Sequence, residues 1–340
     1  MSENRSVAFW CELAAADAEV TTEFHVNLWH FSAKNRRDFV EIGVMPRNPS
    51  ALSVIRIFVP FPLGHKDIKD LGPEFLSTGL AQGIFNETLS STSKPNGKSV
   101  ELKVGVETYC HVHLFSVEND LIDRDELQVL EKDGGTLISI TAQALGALGR
   151  QCVGEAECGY FRLRLLPPIQ DIRPFVTAIK PKDRAWTSGF EEIEYIDCRL
   201  NEARTLPTSI EALADAAKHG LAHVSRIVFL AVVPVTSSIT SSHSEWHKSR
   251  LLETEIWKDY VPEGLENGMV VYHWRKKFER NGQNGLQGFS AFVKLQTRKT
   301  SPMVIAIYVS VALALGVVGS LTGSVVQWWI SGAGSSLTGN

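Results

Sequence analysis

MVIAIYVSVALALGVVGSLTGSVVQWWI, residues Met303–Ile330, decides what kind of chain this is. As an α-helix, at 1.5 Å per residue, it is about 42 Å long, more than the ~30 Å hydrocarbon core of a bilayer. Its most apolar portion, Met303 to Gly323, matches that core by itself. Gln327, Trp328 and Trp329 then fall where an aromatic belt sits, and Pro302 marks the start of the helix. A soluble helix of this length shows a charged face, whereas residues 301–340 carry no charged side chain. The stretch is read as one transmembrane helix within 301–330.

Its flanks orient it. Lys294, Arg298 and Lys299 precede the span as its membrane-interface cations, with Trp328 and Trp329 at the other end. The closing segment 331–340, SGAGSSLTGN, has no basic residue. The positive-inside rule therefore puts the N-terminal body in the cytoplasm, making the chain a single-pass, tail-anchored protein with a short non-cytoplasmic tail. Within the helix, Ala312, Gly316, Ser320 and Ser324 recur every four residues, and Gly319 with Gly323 forms a GxxxG on a neighbouring stripe. Small residues so spaced let helix backbones approach in lipid, so the expected partners are the bilayer and further copies of the chain.

Outward from the anchor, the chain is ordinary. All 34 Lys and Arg and all 38 Asp and Glu precede Ser301. The net charge of −4 excludes a dedicated nucleic-acid binder, which needs a concentrated basic face. The five cysteines, Cys11, Cys110, Cys152, Cys158 and Cys198, are too few and odd in number for a secreted disulfide framework. The N-terminal MSENRSVAFWCELAAADAEV has its apolar stretch broken by Glu12 and Asp17, unlike a signal peptide.

Apolar alternation predicts strands over 39–45, 52–61, 99–104, 108–116, 136–141, 160–166, 193–200, 226–235, 270–278 and 288–297. Helical spacing marks 123–131, 209–222 and 244–260, the second following Pro207 with Thr208 or Ser209 as its cap. Asn281, Gly282, Asn284 and Gly285 supply the turn between the last two strands. The fold class is α+β: a strand-rich cytosolic body with a few helices, followed by one C-terminal transmembrane helix. Strands ending in proline recur at RIFVPFP, RLRLLPP and RIVFLAVVP, which divides the body into a strand-rich region 1–155 and an α+β region 156–300, within one domain or two.

Chemistry-bearing motifs are sparse. His111 and His113 alternate on a strand, so both rings project from one face and form a candidate metal pair, with Tyr109 beside them. His219 with His223 and His243 with His247 are i, i+4 pairs, but HSEWH is not HExxH. Cys152-x5-Cys158 is wider than zinc spacings. Asp67, Asp70, Glu74 and Glu87 cluster in the sequence, and Arg275, Lys276, Lys277 and Arg280 form the densest basic group, suited to an anionic ligand or lipid headgroups. GxSxG, GxxxxGK[ST] and GxGxxG are absent, so no catalytic residue or cofactor is assigned. The architecture fits a protein whose cytosolic body senses a ligand or partner and which acts by self-association of its helix. A membrane-perturbing bacterial stress or antiviral effector is built this way, although architecture alone does not assign the role. The alternatives are a membrane-anchored, metal-dependent enzyme using His111 and His113, and a scaffold recruiting a cytosolic protein.

Overall fold

The computed structural model describes residues 6–33, 36–94, 97–152, 157–168, 172–179, 191–262, 264–266, 268–279, 286–298 and 302–335, with backbone alone at 191, 298, 302–304 and 331–335. The chain forms two compact units. One comprises Met1–Thr177 with Glu194–Leu295, the other Ala178–Ile193 with Gln296–Asn340.

Strands dominate the first unit. Its first half contains β1 (Ala8–Leu13), β2 (Thr21–Trp29), β3 (Phe39–Pro46), β4 (Leu52–Val59), β5 (Ile68–Asp70), β6 (Ser90–Ser93), β7 (Ser99–Val104), β8 (Glu107–His113), β9 (Val117–Glu118) and β10 (Leu121–Ile122). There follow β11 (Leu127–Lys132), β12 (Gly135–Ile140), β13 (Gly159–Leu165), β14 (Val176–Ile179), β15 (Glu191–Leu200), β16 (His223–Pro234), β17 (Ser237–Ser242), β18 (Lys248–Leu251), β19 (Met269–Lys277) and β20 (Phe289–Arg298), of which the end of β14, the start of β15 and the end of β20 fall in the second unit. Among the described residues four short α-helices join them: α1 (Thr78–Phe85), α2 (Ala142–Gly149), α3 (Thr208–Asp215) and α4 (Thr254–Trp257). Each expected strand has its counterpart here, and the α+β class holds.

The largest sheet runs β18-β19-β16-β2-β3-β13-β8-β7-β6, and an antiparallel sheet β1-β4-β12-β11 is the second. Their facing residues make the main core. Phe24, Val26 and Leu28 of β2, Ile42 and Val44 of β3, and Phe229 and Ala231 of β16 join Phe9, Ile55, Ile57, Ile138 and Ile140. Phe9 and Phe24 stack with ring centroids 4.1 Å apart. Fully burying such a side chain contributes roughly 1.5–3 kcal/mol, so this face fixes the strand register. Because strand side chains alternate, the residues between them point the other way. Glu23, His25 and Asn27 on β2, Arg226 on β16 and Arg162 and Arg164 on β13 therefore share the opposite face.

Three helical expectations are corrected. Residues 123–131 form a turn and then β11, whose Leu127 pairs with Ile140, so strand pairing overrides a short helical pattern. Helix α3 covers only Thr208–Asp215 of the expected 209–222; the chain then turns through Gly220, at φ 85°. In 244–260, β18 pairs with β19 and only Thr254–Trp257 is helical, since the edge of the large sheet captures the segment. The turn residues 281–285 lie outside the described residues.

The second unit is dominated by helix α5 (Pro302–Ser335). Ile305–Ile330, 26 residues, is long and apolar enough to cross a membrane, and its side chains are exposed throughout. The Thr322 hydroxyl donates to Val318 O and that of Ser324 to Ser320 O, both at 2.9 Å. Helical backbone pairing and these bonds satisfy those polar groups within the helix, as a bilayer would require.

Candidate functional site

On the polar face of the large sheet the pairing registers define a grid. One row reads Lys248, His273, Leu230, Asn27, Glu41, Arg164 across β18, β19, β16, β2, β3 and β13. The next reads Arg275, Val228, His25, Gly43, Arg162, and a third brings Lys277, Arg226 and Glu23 together. Helix α1 and the turn after it, from Gly83 to Glu87, form the opposite wall. Between them lies a cavity of about 230 Å³. Five permanent cations, Arg162, Arg226, Lys248, Arg250 and Arg275, and three histidines, His25, His247 and His273, line it against one carboxylate, Glu87.

The floor is a buried ionic cluster. Glu41 accepts from Arg162 Nη2 at 2.6 Å, from Arg164 Nε at 3.0 Å and Nη2 at 2.7 Å, and from the Tyr260 hydroxyl at 2.8 Å. Burial pushes the Glu41 carboxyl up, but the two guanidinium groups outweigh it and hold it below the usual range. Arg162 also donates to the hydroxyls of Tyr160 at 3.1 Å and Tyr260 at 3.2 Å, and, with the Asn27 amide oriented to suit, to its Oδ1 at 2.6 Å. Gly43 is required here, since a Cβ on it would sit 2.2 Å from the Tyr160 oxygen.

The walls follow the same logic. Arg226 is engaged by Glu23, donating from Nε at 2.8 Å. Arg250 donates to Gly83 O at 2.7 Å and Lys248 to Asn86 Oδ1 at 3.3 Å, placing two cations at the C-terminus of α1, where the helix dipole is negative. Arg275 is exposed and has no carboxylate within ion-pair distance among the described residues. The His273 imidazole is held near pKa 4 by burial, with His247, Arg275, His25 and Lys248 adding repulsion. Its Nε2 is buried without a hydrogen-bond partner among the described residues.

The residues singled out in the sequence are distributed otherwise. His111 and His113 do share one face of β8, but His111 Nε2 meets Glu157 at 3.1 Å and His113 Nε2 meets Glu126 at 3.3 Å, so each has its own carboxylate. Among the described residues no three His, Cys, Asp or Glu side chains are grouped to hold a metal. His243 and His247 are not on a helix; His247 packs edge-on against His273 at 5.8 Å, and His223 opens β16. Asp70 pins loops, accepting from Gly72 N at 2.8 Å and Phe115 N at 3.0 Å, while Glu87 alone of its sequence cluster lines the cavity. Of the basic group, Arg275 lines the cavity, Lys276 donates to Gly288 O at 3.0 Å, and Arg280 lies outside the described residues. Sequence reasoning missed the cavity residues His25, Asn27, Arg162, Arg226 and His273; the alternation of charge on β2 and β16 was the available signal.

Ala312, Gly316, Gly319, Ser320, Gly323 and Ser324 lie on α5, and a Cβ on Gly316, Gly319 or Gly323 would meet nothing within 4 Å. Trp328 and Trp329 are exposed near its end, Lys294 lies in β20, and Lys299 is outside the described residues, as is the side chain of Arg298.

Comparisons add little to this geometry. No known protein family matches the chain. No curated protein matches either. Among solved structures it is similar to the Fcho1 mu homology domain of Danio rerio with a bound Eps15 peptide, at 12% identity, over 88% of this chain and 81% of that one, with a TM-score of 0.16. A score that low bears on neither fold nor function.

Proposed function

We propose that this protein is a membrane-anchored ligand-binding module whose body, in the cytoplasm, takes a ligand in the cavity beside α1 and acts at the bilayer through self-association of α5. The observation that carries the reading is the apolar helix Ile305–Ile330 in a chain whose body has a cation-lined cavity. Lys294, Arg298 and Lys299 before the span, with no basic residue after it, support the orientation. The open backbone at Gly316, Gly319 and Gly323 supports close helix approach. Perturbation of the membrane follows as the output of an assembled helix bundle, since one uncharged helix cannot line an aqueous path.

The test combines assembly with output. Gly316→Leu together with Ser320→Leu is expected to reduce the oligomer seen by crosslinking in membranes and to abolish any depolarisation that the wild-type chain causes when expressed. An unchanged oligomer with unchanged depolarisation would sink the reading.

A further inference from the structure

The excess positive charge of the cavity extends beneath its surface. Arg162 and Arg164 are both fully buried and share one carboxylate, Glu41. Among the described residues neither has another carboxylate within ion-pair distance. A net charge shielded from water is costly unless something compensates it. Arg164 is offset by the rings of Phe39 and Tyr260, 4.9 and 4.6 Å from its guanidinium carbon. Arg162, held by the Tyr160 and Tyr260 hydroxyls and by Asn27 as well as by Glu41, lines the cavity. Above it stand Arg226 of β16, whose Nε and Nη2 are engaged by Glu23, Lys248 of β18, which reaches Asn86, and the exposed Arg275 of β19, and the Nε2 of His273 is buried with no hydrogen-bond partner among the described residues. This concentration of positive charge occurs in a chain whose net charge is −4.

Donors converging from three directions suit phosphate, which carries up to two charges and three acceptor oxygens, better than a planar carboxylate met by a single guanidinium fork. The remaining lining is flat or apolar. Phe85 and Tyr109 meet edge to face at 5.2 Å, His247 and His273 at 5.8 Å, and Val228, Leu230 and Val271 also line the cavity. Asn27, Asn86 and Ser249 add hydrogen-bonding groups. The geometry points to a small phosphorylated molecule bearing a flat ring, in chemical class a mononucleotide, as the occupant of this cavity. This rests on the reading of the body as a ligand-binding module and names its ligand class.

The experiment uses the full chain purified in detergent micelles and titrated calorimetrically with the four common nucleoside monophosphates, the matching nucleosides, inorganic phosphate and a water-soluble inositol phosphate. At least one nucleoside monophosphate is expected to bind, with its nucleoside and inorganic phosphate each at least tenfold weaker. Arg275→Glu, on an exposed side chain, is expected to weaken that binding at least tenfold with an unchanged melting temperature. Equal binding of nucleoside and nucleotide overturns the inference, as does Arg275→Glu binding like the wild type. Tighter binding of the inositol phosphate overturns it in favour of a lipid headgroup. A chain that inserts and self-associates yet binds none of these compounds sinks the inference and leaves the proposed function standing. Nucleotide binding by a chain that does not enter membranes does the reverse.

Discussion

His30 shows how single residues hold this body together. Its Nδ1 meets Asp38 at 2.8 Å and its Nε2 meets Glu194 at 3.0 Å, so the ring ties the residue after β2 to β15 and both nitrogens donate only when it is protonated. Burial drives its pKa down, but the two carboxylates outweigh that and raise it to about 9. With the folded pKa above the ~6.5 of a free imidazole, the stabilisation is complete below about pH 6.5 and is lost as the pH rises through about 9. His30→Ala should cost on the order of 3 kcal/mol by denaturant titration at pH 6, with a deficit that shrinks toward pH 10; a deficit independent of pH would refute the charged pairing. His273 has the opposite sign. Its depressed value near 4 means that it favours the fold above about pH 6.5 and that this is lost as pH falls toward 4. An anion beside it reverses the bias, so ligand affinity should rise as the pH drops from 6.5 to 4.5, and His273→Gln should flatten that slope in calorimetric titrations. At Gly43, a methyl group would displace the Tyr160 hydroxyl from Arg162, so Gly43→Ala should destabilise the chain by about 1–3 kcal/mol and weaken ligand binding with it.

Between residue and molecule stand the elements, and here the sequence was unevenly legible. Long strands such as β16 and β19 read clearly because apolar residues occupy both faces of their central portions. Strand β2 carries the same information in alternation, Phe24, Val26 and Leu28 against Glu23, His25 and Asn27, but its charged face masks its apolar one. Segments 123–131 and 244–260 misled because a few apolar residues satisfy helical spacing by chance, while each is claimed by pairing with a neighbouring strand, β12 and β19, which the segment's own pattern does not show. The cavity was illegible for a related reason. Its lining comes from β2, β8, β13, β16, β18, β19 and the end of α1, and only the registers bring Asn27, Leu230, His273 and Lys248 into one row. The anchor needed no such assembly, since its signal is 26 consecutive residues of one helix.

At the scale of the whole molecule, stability and membrane attachment fall to different parts of the chain. Every buried hydrophobic cluster among the described residues is built from residues up to 295, all of them in the first unit. The side chains of Ile305–Ile330 are exposed and apolar, a surface that water penalises at roughly 25 cal/mol for each Å² and that lipid accepts. Among the described residues, Ile305–Ile330 therefore contributes partitioning and nothing to the core, and it lies within the segment 301–340. Deleting that segment should move the chain from the membrane to the soluble fraction after alkaline extraction. Its unfolding midpoint should stay within about 2 °C of the full chain's, a shift that for a body this large corresponds to roughly 1 kcal/mol. Because the cavity lining is also complete before residue 296, the truncated chain should keep the ligand affinity of the intact one, with a salt dependence that marks contacts to Arg226 and Arg275. A truncated chain that is soluble but melts many degrees lower would mean that the helix supports the body's fold. The separation of core from anchor would then be wrong, and loss of ligand response in helix variants could no longer be assigned to assembly in the bilayer.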